Sequence, residues 1–205
     1  LDNLARALGK NFRSELKSAV QQIYELNELA KKEAAAGKPE SRTSVLATFL
    51  KPEQVQMPFV NADWMDQNGD TKIQWTTQSA EPELLNVADR NYFQNVLAKD
   101  MQSLPELRSK PFAIEQVLSR TTGESATILA IPSDVSGTKV ATMSVNFLSI
   151  ADPIAPRDLG FAIIDSDGKV LFHSDRSRVL VENMLHECPD PRALQSAISR
   201  RVPAF

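Results

Sequence analysis

The chain has very few of the residues that build disulfide frameworks and metal clusters, since it contains one cysteine and two histidines. The lone Cys188 cannot form an internal disulfide bond, so cysteine content does not identify the redox compartment. There is no basic surplus either, because the formal net charge is −3. Nucleic acid and anionic membrane surfaces both reward a concentrated basic face, so neither is predicted as a partner.

Long apolar runs are also missing. No stretch approaches the roughly 20 continuous apolar residues of a membrane-spanning helix, and the first residues lack a basic-then-apolar targeting pattern. With 205 residues, 42% hydrophobic and 24% charged, the chain has the composition of an ordinary folded protein. It can hold one large domain or two small ones. Because it begins and ends abruptly, we expect a piece of a longer protein.

The N-terminal segment carries the clearest periodic pattern. Apolar residues recur every three or four positions, which predicts one long helix: Leu1, Leu4, Leu8, Phe12, Leu16, Val20, Ile23 and Leu26. At a rise of about 1.5 Å per residue, this helix would be about 50 Å long. It is either half of a coiled coil or the support of two stacked modules, and both can hold in a dimer. A second helix is predicted over 44–50, before Pro52.

From Met57 onward the pattern changes to strands and tight turns. The alternating segments 59–64 and 72–75 flank Asn68-Gly69, which is a hairpin signature. A helix follows near residue 90, and three further strands are predicted over 112–120, 125–131 and 139–148. This order predicts an α+β fold, in which an antiparallel sheet carries helices on one face and loops on the other.

The hairpin pattern occurs twice. After a proline-containing connector over 151–158, the segment 160–173 repeats the apolar strand, the turn and the second strand. Asp66 and Gly69 align with Asp165 and Gly168 without a gap, which indicates an internal duplication. The second copy is incomplete, with helical stretches near 180–187 and 192–200. The predicted organisation is helices over 1–50, a first module over 51–150 and a partial second module over 151–205.

The segment 89–93 combines a helix start, a cation and an aromatic pair. Asp89 has the short side chain of an N-cap, which puts Arg90 in the first turn of the helix. A cation in that turn costs about 0.3–1 kcal/mol, and a nearby anion would relieve the mismatch. Arg90 is therefore either a rim residue paired with a surface carboxylate or the anchor of a ligand's negative charge.

Chemical motifs are otherwise weak. The segment Asp66–Asp70 resembles the start of a calcium loop, but Thr71 and Thr77 stand where that loop needs glycine and an acidic residue, so a plain turn is favoured. His186 and Cys188 are two positions apart and have no partner cluster for a metal. No nucleophile, base and orienting group converge. We therefore predict no catalytic residues, no metal site and no cofactor.

Binding residues remain as the candidates for function. Tyr92, Trp75 and Trp64 can provide flat apolar walls, and Arg90 can donate paired hydrogen bonds to a carboxylate. On the last predicted strand, Thr142, Ser144 and Asn146 share one face. That polar face either lines a cavity or faces solvent, which is the usual arrangement in an antiparallel sheet.

Taken in order, these pieces resemble a double Cache sensor domain. The resemblance rests on the long helix, the first hairpin, Arg90-Asn91-Tyr92-Phe93, the segment 119–124 (Ser-Arg-Thr-Thr-Gly-Glu), the strand 140–148 and the second hairpin, and so covers most of the chain. It implies two PAS-like modules along the long helix of a bacterial transmembrane receptor, on the periplasmic or extracellular side. The membrane would be reached only through flanking helices outside this chain. The output domain could be a kinase, a nucleotide cyclase or a chemotaxis module.

The resemblance also bears on the ligand. In this family the segment matching 90–93 borders the pocket of the membrane-distal module, and an aspartate near the end of the last meander strand commonly meets the amine of amino-acid ligands. This chain has Asn146 at the matching position. Because a neutral amide offers no charge to an ammonium group, the prediction favours a carboxylate or another small polar metabolite over a standard amino acid.

The predicted function is thus a sensor whose first module binds a small organic acid or amino-acid-like molecule and passes the signal through the long helix. The predicted ligand-binding residues are Arg90, Tyr92, Trp75, Ser144 and Asn146. A homodimer is the expected assembly. The alternative is a ligand-free module of a membrane protein that dimerises or binds another protein through its N-terminal helix.

Overall fold

The computed structural model describes residues 2–36, 59–76, 84–120, 123–151 and 160–200. The first elements are helix α1 (Asp2–Ala35), strands β1 (Phe59–Met65) and β2 (Thr71–Thr76), helix α2 (Asn91–Ala98), a 3₁₀ turn (Pro105–Leu107), and strands β3 (Ala113–Leu118), β4 (Ser125–Pro132) and β5 (Val140–Val145). They are followed by α3 (Leu148–Ala151), β6 (Ala162–Ile164), β7 (Val170–His173), a 3₁₀ turn (Arg176–Arg178), α4 (Met184–Glu187) and α5 (Pro191–Arg200). The helix predicted over 44–50 lies outside the described residues.

The chain divides into two compact units. The first unit is Gly9–Phe147, and the second unit comprises Leu1–Leu8 and Leu148–Phe205. The first unit contains a five-stranded antiparallel sheet in the order β2-β1-β5-β4-β3, and the second contains the antiparallel pair β6-β7. Helices combined with antiparallel sheets confirm the predicted α+β class. Within the described ranges, no helix is long and apolar enough to cross a membrane.

Helix α1 covers one face of the five-stranded sheet. Its buried residues recur at helical spacing and form one continuous stripe: Leu16, Ala19, Val20, Gln22, Ile23, Leu26, Asn27 and Ala30. The stripe is tied to the sheet by Trp64, whose Nε1 donates to Asn27 Oδ1 over 3.0 Å. Tyr24 adds a hydrogen bond of 2.8 Å from its hydroxyl to the Pro111 carbonyl. Apolar periodicity in the sequence therefore predicted α1 and the side of it that is buried.

Helix α2 covers the opposite face, so the prediction that helices lie on one face of the sheet and loops on the other was wrong. Its buried side chains Tyr92, Phe93 and Val96 pack in one cluster with sheet residues, namely Met65, Ala113, Val117, Ala130 and Val140. The helix ends at Ala98 because Lys99 adopts a left-handed φ of 60°. Its start corrects the sequence prediction, since Arg90 and not Asp89 occupies the N-cap position, and Arg90 makes no side-chain capping bond.

The predicted duplication of the hairpin is present in the structure. Asp63 pairs with Gln74 in the first hairpin, and Ala162 pairs with His173 in the second. Each residue of the second pair lies 99 positions after its counterpart in the first pair, so the two hairpins have the same register. The register irregularity also recurs, between Trp64 and Met65 and again between Ile163 and Ile164. The two hairpins are thus copies of one backbone unit.

Candidate ligand-binding site

A row of directly paired residues crosses the sheet on the face that α2 covers. Asp63 on β1 pairs with Gln74 on β2 and with Thr142 on β5. Thr142 pairs in turn with Ala130, which pairs with Ala113. Directly paired residues project from the same face of a sheet. Because Ala113 and Ala130 contact α2, the polar end of the row lies on the same side as that helix.

The polar end of this row is buried. Gln74 is 7% exposed and Thr142 is 4% exposed. Asp63 retains some accessible surface, but its Oδ1 atom is inaccessible and finds no hydrogen-bond partner in the described part of the chain. Its other oxygen, Oδ2, accepts from Asn61 Nδ2. The sheet therefore holds a carboxylate that is only half satisfied, on the face that carries α2.

Burial changes the titration of this carboxyl group. Desolvation raises the pKa of Asp63 to about 6, because the charged form loses its hydration. The neighbouring side-chain amides of Gln74 and Asn61 act in the opposite direction and limit the rise. Among the described residues, no cation contributes to this shift, so none of them neutralises the negative charge of Asp63.

A bulge in β1 lies beside the row. Phe59 pairs with Val145 and Ala62 with Met143, so Val60 and Asn61 together stand opposite Ser144. A bulge of this kind re-aims side chains and is frequent next to functional sites. Ser144, at 9% exposure, is nearly buried on the same face as Thr142, and it pairs with Ile128 on β4.

Tyr92 projects from α2 toward the sheet. Burial raises the pKa of its hydroxyl to about 12, the Arg90 charge lowers it, and the charges of Asp63 and Glu115 raise it further. Two carboxylates and two guanidinium groups, of which Arg120 is the second, therefore act on the titration of one phenol. The described residues thus bring Tyr92, Asp63, Thr142 and Ser144 to the same side of the sheet.

The N-terminus of α2 is capped by a residue from a neighbouring strand. Glu115 on β3 accepts from the Tyr92 backbone N–H over 2.8 Å and from Asn91 Nδ2 over 3.1 Å. The carboxylate satisfies orphan donors and complements the positive end of the helix dipole. This is the nearby anion that the cation at Arg90 required, so the helix start already holds a negative group.

Two arginines lie at the edge of this region. Arg90 is half-buried and donates through Nη2 to the Leu118 carbonyl over 3.0 Å. Arg120 donates to the Asn86 carbonyl over 2.8 Å and pairs with Asp89, which holds the pKa of that carboxyl below its usual range. Both guanidinium groups are therefore positioned by backbone carbonyls.

The structure separates the five predicted ligand-binding residues. Tyr92 and Ser144 lie on the α2 side of the sheet, and Arg90 lies at its edge. Trp75 lies on the α1 side, where its ring packs edge-on against Trp64 with centroids 4.7 Å apart. Asn146 follows the end of β5 and is exposed. A molecule held between α2 and the sheet would therefore meet Tyr92 and Ser144 but not Trp75.

The sequence patterns did not single out Asp63, Gln74 or Glu115. Aspartate is depleted in strands, so its presence between Ala62 and Trp64 is a signal that could have drawn attention to β1. Glu115 gives no local signal, because its partner helix is more than 20 positions away in the sequence.

Chemically, the region offers a buried carboxylate, hydroxyl groups and an amide, with guanidinium groups at the edge. Such convergent polar groups beside apolar walls suit the recognition of a small polar molecule. In the described ranges, no group of three or more His, Cys, Asp and Glu side chains could hold a metal ion.

Comparisons with known proteins extend this description. No protein-family model matches the sequence, and no curated protein matches it. Solved structures do match. The ligand-binding domain of the Pseudomonas aeruginosa amino acid chemoreceptor PctB, in complex with L-Gln, is 17% identical, with a TM-score of 0.61 over 94% of this chain and 74% of that chain.

Two further neighbours have the same architecture. The ligand-binding domain of the Pseudomonas fluorescens chemoreceptor CtaA, in complex with L-alanine, is 15% identical, with a TM-score of 0.59 over 93% of this chain and 77% of that chain. An extracellular domain attributed to a histidine kinase is 16% identical, with a TM-score of 0.60 over 98% of this chain and 79% of that chain. These neighbours confirm the resemblance found in the sequence at the level of fold: the chain has the fold of the Cache-type sensor domains.

Proposed function

We propose that the chain is an extracytoplasmic ligand-sensing domain of a membrane receptor and that its first unit binds a small polar molecule between α2 and the sheet. The observation that carries the proposal is the buried Oδ1 of Asp63, which has no hydrogen-bond partner among the described residues. Leaving such an acceptor unsatisfied costs roughly 1–3 kcal/mol, so a ligand that supplies the missing donor would recover that free energy. The sensor fold of the neighbours supports the same function.

The proposed site contains Asp63, Gln74, Thr142, Ser144 and Tyr92. All five lie on the α2 side of the sheet, by strand pairing or by their place on the helix. Glu115 already occupies the start of α2, so the helix N-terminus is not available to a carboxylate of the ligand. Arg90, at the edge of the site, would bind that carboxylate instead. Trp75 and Asn146 are left outside this proposed site.

Strand β1 offers a route from the site to α1. Asp63 faces α2, and the next residue, Trp64, faces α1 and donates to the buried Asn27. Asn27 Oδ1 also accepts from Ser133 Oγ over 2.9 Å. A ligand that moves β1 would therefore disturb a hydrogen-bond network on the long helix. The shift of α1 can be no larger than the preference of the ligand for the shifted state.

A thermal-shift screen tests the proposal. Organic acids, amino acids and amines are added to the purified chain, and a ligand at one hundred times its Kd adds about 2.7 kcal/mol, or roughly 5–10 °C in Tm for a chain of this size. We expect a hit whose stabilisation is lost in Thr142→Val and reduced in Arg90→Ala for carboxylate-bearing ligands.

Thr127→Val is the matched control. Thr127 is a buried threonine that pairs with Val145 on the α1 side of the sheet, so its variant should keep the response. A hit that survives Thr142→Val would contradict the proposed location. Light scattering on the same samples measures the oligomeric state, and a dimer with no hit in the screen would support the ligand-free interaction module instead.

A further inference from the structure

We infer that Asp63 is the residue that selects the ligand, by accepting a hydrogen bond from a positively charged N–H group, so that the ligand is an amine or a zwitterion. This inference rests on the proposed function, because it names the chemistry that the same site recognises. Asp63 lies in the middle of β1, between Gln74 and Thr142, and so occupies the centre of the polar row.

The hydrogen bonding of the Asp63 carboxylate leaves one of its two oxygens available as an acceptor. Oδ2 accepts from Asn61, whereas Oδ1 is buried and no residue in the described ranges donates to it. An ionised carboxylate is only an acceptor, so its free oxygen requires a donor. A donor that carries a positive charge makes the shorter and stronger bond, and it also neutralises the buried charge.

The charged groups that the structure describes around Asp63 do not supply this donor. On α2 and the turn before it stand Tyr92 and Arg90, and Arg90 donates to the Leu118 carbonyl. On and after β3 stand Glu115, which caps α2, and Arg120, which pairs with Asp89. The neighbouring strands β2 and β5 present the neutral Gln74 and Thr142. Among the described residues, no ion pair involves Asp63.

The same position argues against an anion at the centre of the row. A ligand carboxylate beside Asp63 would require that one of the two groups be protonated. Such a ligand would bind best in acid, whereas an amine would bind best once Asp63 is ionised. The two classes therefore predict opposite dependences of affinity on pH around the titration of this carboxyl group.

The experiment uses two matched sets of probes on the whole chain. Each set contains a zwitterion, its carboxylate analogue and its amine analogue: L-alanine with propionate and ethylamine, and γ-aminobutyrate with butyrate and butylamine. Calorimetry at pH 5.0 and pH 7.5 measures each affinity. We expect binding only by probes that carry an ammonium group, with affinity about tenfold higher at pH 7.5, since Asp63 has a pKa of about 6.

Two variants complete the test. Asp63→Asn keeps the shape of the side chain and an acceptor for Asn61 but removes the charge. We expect this variant to bind the ammonium-bearing probes at least tenfold more weakly, with an affinity that no longer depends on pH. Gln116→Glu serves as the control, because it adds a carboxylate on the α1 side of β3, where Gln116 pairs with Thr127. It should leave the affinities unchanged.

The outcomes separate this inference from the proposed function. If propionate or butyrate binds to the wild type and to Asp63→Asn but not to Thr142→Val, the proposed site stands and the inference about Asp63 is overturned. If an ammonium probe binds equally to the wild type and to Asp63→Asn, the inference is overturned as well. If no compound in these sets or in the wider screen binds at either pH, the proposed function itself fails.

Discussion

The two hairpins have the same turn and differ in what their strands carry. In each turn, one aspartate side chain accepts from two backbone N–H groups: Asp66 Oδ1 accepts from Asn68 and Asp70, and Asp165 Oδ1 accepts from Asp167 and Lys169, over 2.8–3.1 Å. In each, the glycine is left-handed, with φ of 82° at Gly69 and 81° at Gly168.

An asparagine from the following segment clamps each turn in the same way. Asn86 Nδ2 donates to the Asn68 carbonyl over 3.0 Å, and Asn183 Nδ2 donates to the Asp167 carbonyl over 2.8 Å. Each asparagine also accepts, through Oδ1, the N–H of the residue two positions later. The duplication therefore includes a distant residue that alignment of the hairpins alone does not reveal.

The strands differ where the first hairpin carries its polar row. Ala162 and His173 occupy the positions of Asp63 and Gln74. β1 is also paired on both sides, with β2 and β5, whereas β6 pairs only with β7 among the described strands. The turn and its clamp therefore belong to the fold, and the buried carboxylate is specific to the first unit.

The largest expected effect concerns the turn glycines of the two copies. A Cβ added at Gly69 would lie 2.5 Å from the backbone N of Ala88, whereas one at Gly168 would meet side-chain atoms of Asn183 and Leu185, each at 2.6 Å. Backbone cannot yield as a side chain can, so we expect Gly69→Ala to cost roughly 3 kcal/mol or more and Gly168→Ala roughly 1–3 kcal/mol.

Tryptophan fluorescence during urea unfolding measures the first effect, because both tryptophans, Trp64 and Trp75, lie in the first unit. Hydrogen exchange of peptides covering 162–173 measures the second. Gly137→Ala is the control, since Gly137 also has a positive φ, of 78°, but a Cβ there meets nothing within 4 Å. Equal losses for Gly69→Ala and Gly137→Ala would show that the contact with Ala88 is unimportant.

The second difference concerns pH. The folded chain binds a proton at Asp63 more tightly than the unfolded chain, since the pKa rises from 3.8 to about 6. Ionisation therefore opposes folding above pH 6, and this penalty disappears as pH falls from about 6 to about 4. We expect Asp63→Asn to stabilise the first unit by about 2–3 kcal/mol at pH 7.5 and to have little effect at pH 4.

Tryptophan-monitored unfolding of the variant and the wild type across this pH range measures the difference. Ala162→Asp tests the corresponding position in the second hairpin, which is only half-buried. Hydrogen exchange of its peptides should show a much weaker pH dependence, because a hydrated carboxylate keeps its usual titration. A first unit whose pH dependence is the same with and without Asp63 would show that folding does not raise the pKa of this carboxyl group.

Much of the fold follows from local patterns. Helical spacing from Leu16 to Ala30 predicted the buried stripe of α1, and the turn residues at 66–69 and 165–168 predicted two equivalent hairpins. Strand boundaries for β3, β4 and β5 were predicted to within about two residues at most ends. These features depend on side chains that are close in sequence, which is why they could be predicted.

The candidate site depends on contacts between distant segments. Alternation along β2 predicts that Gln74 and Trp75 face opposite ways, but which face meets α2 depends on the pairing of β1 with β5. The cap of α2 likewise comes from Glu115 on β3, so the local choice of Asp89 as N-cap was wrong. The buried carboxylate at Asp63 could not be recognised until that pairing placed β1 inside the sheet.

The smallest expected difference concerns the clamping asparagines. Asn86 makes an additional hydrogen bond of 2.7 Å, from Nδ2 to Asp70 Oδ1, whereas Lys169 occupies the position of Asp70 in the second turn and offers no carboxylate. We therefore expect Asn86→Ala to destabilise its hairpin by about 1–2 kcal/mol and Asn183→Ala by about 1 kcal/mol. Hydrogen exchange of peptides covering each turn measures both changes.

A cycle with Asp70→Ala isolates the extra bond. In the Asp70→Ala background, the cost of Asn86→Ala should fall to that of Asn183→Ala, because the clamp then has the same bonds in both copies. Conversely, if the cost of Asn86→Ala is independent of Asp70, the exposed carboxylate contributes nothing and the two clamps are energetically equal. In that case the first turn would still be distinguished by the backbone contact between Gly69 and Ala88.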